Sequence, residues 1–114
     1  MKIEKVEVRE IASKFGTPVY VYSLEILRRA IQEIKKLSPV TRYAMKASSN
    51  VRILQEMLAN GVKIDAVSVY EVQRALRAGY KAEDICFTSD VFFNSNALLL
   101  LGKEKRKWLK GSFT

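Results

Sequence analysis

Lys46, near the end of the run Thr41-Arg42-Tyr43-Ala44-Met45-Lys46-Ala47, is the residue of this 114-residue chain best suited to covalent chemistry. Read as a strand, the run alternates, so that Arg42, Ala44 and Lys46 share one face and Tyr43, Met45 and Ala47 the other. The C-terminal end of a parallel strand is where α/β proteins build their active sites. A lysine held there, partly desolvated and near the cation Arg42, has its ammonium form disfavoured. The free amine that results can attack a carbonyl and form a Schiff base. The plainer alternative is a solvated strand-end lysine, because surface lysines far outnumber catalytic ones. The sequence contains no histidine, which removes the commonest general base near neutral pH and any Ser-His-Asp or Cys-His triad. Chemistry must therefore come from Lys, a carboxylate, Tyr or a cofactor.

The elements that must position Lys46 follow from the pattern around it. Lys2 to Val8 alternates polar and apolar residues, Glu10 to Phe15 fits one or two helical turns, and Gly16-Thr17-Pro18 breaks them. Val19 to Tyr22, β-branched and aromatic, reads as a short strand. Ser23 is a candidate N-cap for a helix with Leu24, Leu27, Ile31 and Ile34 on its apolar face, ended by Ser38-Pro39. Two similar units come next: strand Thr41 to Ala47 with a helix near Asn50 to Asn60 stopped by Gly61, then strand Ile64 to Ser68 with a helix near Val69 to Ala78 stopped by Gly79. Ser68 and Glu71 have capping-box spacing. A further strand runs from Ile85 to Thr88. Strands alternating with helices in this rhythm predict a parallel α/β fold.

The motifs in this framework resemble those of the fold-type III pyridoxal-phosphate-dependent decarboxylases. The resemblance rests on Phe15-Gly16-Thr17-Pro18-Val19-Tyr20-Val21-Tyr22, Tyr43-Ala44-Met45-Lys46-Ala47-Ser48-Ser49-Asn50, Gly61-Val62-Lys63-Ile64-Asp65-Ala66-Val67-Ser68 with Glu71, Ala75 to Gly79, and Ile85 to Thr88. Among the family's members, those acting on diaminopimelate stand nearest, with arginine and ornithine decarboxylases and the small pyridoxal-phosphate homeostasis proteins as alternatives. The resemblance implies a partial (β/α)8 alanine-racemase-like barrel holding about the first three βα units. It implies pyridoxal 5'-phosphate as cofactor, Lys46 as the catalytic lysine that bonds to it, and Asp65 as a residue near the cofactor. Ser68 and Glu71 fill the remaining polar positions of the second motif, where the capping box is the competing reading. Asp65 has its own alternative, pairing with Lys63 or Arg42. Ser48 replaces the family's Asn, leaving a small polar group. A small amino acid as substrate and a homodimer are further implications.

Length and charge bound these expectations. One domain at most fits the chain, while a closed eight-stranded barrel needs about 250 residues. An inactive, truncated piece is therefore the expectation, with residues 1–90 as the first part of a cofactor-binding barrel and 91–114 as a divergent basic tail, out of frame or truncated. Lys and Arg number 20 against 12 Asp and Glu, for a net charge of +8. Lys103, Lys105, Arg106, Lys107 and Lys110 around Trp108 raise nucleic-acid binding as a second reading, against the commoner solvated tail. The longest apolar run, Ala97 to Leu101, is too short for a membrane span. The single Cys86 allows no internal disulfide and reads as a small buried residue, so a cytoplasmic location is expected and no metal site is evident.

Overall fold

The computed structural model describes residues 1–88. The expected change of rhythm near residue 90 and the basic cluster around Trp108 lie outside the described residues.

Strands β3 (Arg42–Ala44), β4 (Lys63–Ala66) and β5 (Ile85–Phe87) form a parallel sheet in the order β3-β4-β5. Ala44 lies opposite Asp65, and Asp65 opposite Cys86. Parallel neighbours need long crossovers, and here helices α3 (Val51–Ala59) and α4 (Val69–Ala78) provide them. The alternation of side chains gives the sheet two unlike faces. Met45, Ile64, Ala66, Ile85 and Phe87 join Leu54 of α3 and Val72, Ala75 and Ala78 of α4 in one buried core. Removing that apolar surface from water is what holds helices to sheet, at about 25 cal/mol per Å².

The helix ends are set by local chemistry. Asn50 caps α3, its side chain accepting the Arg52 N–H at 2.9 Å. Ser68 Oγ accepts the Glu71 N–H at 3.2 Å, and the Glu71 carboxylate accepts the Val67 N–H at 2.8 Å. Two N-terminal donors of this region are thereby satisfied. Gly79, with φ of 107°, ends α4 in the left-handed conformation that favours glycine.

The N-terminal part is a small antiparallel pair, β1 (Lys2–Ile3) and β2 (Val6–Glu7), followed by α1 (Val8–Phe15) and α2 (Leu24–Lys35). Ser23 caps α2 as the sequence predicts, accepting the Ile26 N–H at 3.1 Å. Ile31 of α2 packs with Ile53, Met57 and Val62 in a second core, edged by Leu27 and Tyr43. At the rim, the Arg28 guanidinium donates to both oxygens of Glu56, at 2.6 and 3.0 Å. That pairing holds the Glu56 carboxyl below the usual carboxylate range.

Two expectations need correction. Val19–Tyr22 is not a strand: each of its residues is exposed, and among the described residues no neighbouring strand supplies the ladder that β propensity requires. β3 is shorter than the predicted strand and stops at Ala44. Among the described residues, no helix is long and apolar enough to cross a membrane.

Candidate active site

Lys46 sits in the turn that leaves β3. The Ala47 N–H donates to the Ala44 carbonyl at 3.2 Å, closing a four-residue turn with Met45 and Lys46 at its centre. The Met45 N–H donates to the Asp65 carbonyl at 3.2 Å, carrying the ladder one bond beyond the strand. Met45 is fully buried, and its side chain roots the turn in the core. Lys46 is exposed, and among the described residues its amine makes no hydrogen bond or ion pair.

The expected desolvation of Lys46 is therefore not found. Alternation along the strand predicts which way a residue faces, but not what covers that face. Arg42 does not crowd it either. Its Nη1 donates to the carbonyls of Ile64 at 3.4 Å and Asp84 at 3.3 Å, the latter just before β5, at the N-terminal side of the sheet. The cation is drawn away from the strand ends where Lys46 lies.

Asp65 occupies the sheet face opposite the helices, in register with Ala44 and Cys86. Its Oδ1 accepts a hydrogen bond from the Thr88 hydroxyl at 2.5 Å. Neither of its expected cationic partners pairs with it, since Lys63 bridges to Asp84 at 3.1 Å and Arg42 binds carbonyls. Cys86, expected in the core, is half-buried and lies on this same face. Thr88 was not singled out by the sequence reading. The available signal was alternation, which puts residue 88 on the Cys86 side of its strand.

The segment from Lys46 to α3 is held at successive carbonyls. Tyr43 Oη donates to the Ser48 carbonyl at 3.1 Å, and burial pushes this phenol above its usual range. Arg74 of α4 donates through Nη1 to both the carbonyl and the hydroxyl of Ser49, each at 3.2 Å. Ser68 and Glu71 are taken up by the α4 cap described above. The arrangement offers a primary amine on a fixed turn at the C-terminal edge of a parallel sheet. Asp65 and Thr88 form a carboxylate and hydroxyl pair on the sheet face away from the described helices. Such an amine is a nucleophile toward an aldehyde, and such a carboxylate can orient or hold a protonated group.

Residues 23–106 match the family described as pyridoxal-dependent decarboxylase, pyridoxal binding domain. The chain belongs to that family. The matched range passes residue 90 and enters the segment where the sequence rhythm changes. Diaminopimelate decarboxylase of Escherichia coli K12 is 47% identical over 85 residues, covering 71% of this chain and 20% of that enzyme. The enzyme of the same name from Streptomyces coelicolor is 42% identical over 88 residues, covering 74% of the chain and 20% of its own length. A crystal structure of diaminopimelate decarboxylase superposes with a TM-score of 0.70 at 41% identity, covering 81% of this chain and 22% of that one. A lysine/ornithine decarboxylase complexed with putrescine, from Vibrio vulnificus, shares the fold at a TM-score of 0.73 with 20% identity, covering 91% of this chain and 32% of its own. The chain thus spans about a fifth of the length of the curated relatives it matches.

Proposed function

We propose that the chain forms the first βα units of the cofactor-binding barrel of an amino-acid decarboxylase. In this reading Lys46 bonds covalently to pyridoxal phosphate and Asp65 faces the cofactor. The substrate is diaminopimelate, converted to lysine and carbon dioxide in the cytoplasm by a homodimeric complete protein. The observation that carries the reading is Lys46 itself: an amine without a partner among the described residues, on a pinned turn at the C-terminal end of β3, in a chain of the pyridoxal-binding family. The names of the most similar relatives favour diaminopimelate as substrate.

The donor set fits the cofactor, since an aldehyde needs a primary amine free of competing ion pairs and Lys46 makes none among the described residues. When bound, pyridoxal phosphate supplies a conjugated ring able to accept the electron pair left when an α-carboxylate departs as carbon dioxide. Lys46 would hold the cofactor to the sheet through its amine. Its Nζ, when not so engaged, would hold a proton that it could deliver to the substrate. Asp65, oriented by Thr88, presents its second oxygen as an acceptor that steadies a protonated group on the face away from the described helices.

Covalent capture tests this assignment. The protein is incubated with pyridoxal phosphate, reduced with borohydride and digested, and its lysine peptides are weighed by mass spectrometry. Lys46 is expected to carry the label in preference to exposed lysines such as Lys36 and Lys81, and Lys46→Ala to lose the accompanying absorbance band. Equal labelling of all three lysines overturns the assignment of Lys46. Carbon dioxide release from diaminopimelate, and not from ornithine, by the complete protein tests the substrate.

A further inference from the structure

Arg74 reaches from α4 across to the segment that leads out of the Lys46 turn. Its Nη1 donates to two oxygens of one residue, the carbonyl and the hydroxyl of Ser49. From the other side, Tyr43 Oη grips the neighbouring Ser48 carbonyl. The turn before these contacts is itself closed by the Ala47 N–H to Ala44 carbonyl bond and tied to β4 through the Met45 N–H. After them, Asn50 starts α3 with its side-chain cap. The backbone around Lys46 is therefore fixed by contacts reaching from β3, β4 and α4. Of these, the Arg74 contact is made by an exposed charged side chain rather than by the ladder or the core.

We propose that Arg74 is a positioning residue for Lys46. It sets the path of residues 47–50, and so the direction from which the lysine amine meets the cofactor aldehyde. The inference rests on the reading of Lys46 given above. A residue that fixes geometry in this way acts on the population of well-aligned amine, and a displacement of about 1 Å can cost about 100-fold. Arg74 bonds to two oxygens with one nitrogen while partly in water, so the expected effect is smaller, about 10-fold.

The test measures capture of pyridoxal phosphate by the full chain, as the apparent dissociation constant from the absorbance band and as borohydride-trapped label at the Lys46 peptide. Arg74→Ala is expected to weaken capture about 10-fold while leaving the melting temperature within a degree or two. Arg74→Lys, which keeps a cationic donor, is expected to recover part of the loss. Arg77→Ala, removing another exposed arginine of the same helix, is expected to change nothing. Unchanged capture in Arg74→Ala overturns the proposal, provided Lys46→Ala abolishes label at that site. An equal loss in Arg77→Ala also overturns it, since charge rather than position is then responsible. If Lys46→Ala captures the cofactor as the parent does, the reading of Lys46 falls and the proposal with it.

Discussion

Tyr80 is buried, and its hydroxyl donates to the Val62 carbonyl at 3.0 Å. Burial first, and the neighbouring Asp84 second, push this phenol far above its usual range. The unfolded chain releases the proton from about pH 10, whereas the folded chain retains it. Above that pH the unfolded state binds fewer protons, so stability falls as pH rises. Tyr80→Phe is expected to cost about 1 kcal/mol at neutral pH, from the carbonyl left without its donor, and to flatten the alkaline loss. Melting curves between neutral pH and pH 11 check both effects, and an unaltered alkaline slope in the variant contradicts the account. The candidate site was legible at this scale only in part. Lys46 and Asp65 stand in recognisable motifs, but Thr88 and Arg74 meet their partners across 23 and 25 positions of sequence. No local pattern announces such pairings. The expectation of a desolvated Lys46 failed for a related reason, since exposure depends on what covers a face.

Helix boundaries were the most readable elements because their causes lie within a few residues. Ser23, Asn50 and Ser68 each cap the helix that follows, and each offers a side-chain acceptor to a nearby backbone N–H. The Gly79 stop has an equally local cause and a measurable one. An alanine there enters the left-handed region, at about 1–2 kcal/mol, and its Cβ meets Leu58 Cδ2 at 3.4 Å. Gly79→Ala is therefore expected to lower the urea midpoint without changing the slope of the transition. An unchanged midpoint contradicts the strain argument. Strands were less readable, because a strand is defined by its neighbour. Val19–Tyr22 has the composition of a strand and lacks a partner among the described residues, while β3 gives way to a turn closed by the Ala47 N–H to Ala44 carbonyl bond.

The molecule as described is a three-stranded parallel sheet packed by helices on one face only. The outer edges of β3 and β5 have no strand partner among the described residues, and unpaired edges invite other chains. The net charge of +8 opposes such contacts. Salt screens that repulsion, so self-association is expected to grow as ionic strength rises. Sedimentation velocity at low and high salt checks this, and a monomer at both contradicts it. The α/β class and the parallel strands could be anticipated from the alternation of elements. That the described helices all pack on the same sheet face could not, because it depends on contacts that a local pattern does not reach.

Tyr43 has a wider consequence. Its ring packs against both cores while its hydroxyl holds the Ser48 carbonyl. It is a party wall between two rooms. Loosening the α2 side removes support from the α4 side, and the lysine-bearing turn is fastened to that same wall. The two sides are therefore expected to open together, with amide hydrogens of both exchanging through a common event in native-state hydrogen exchange, and separate exchange of the two sides contradicts this coupling.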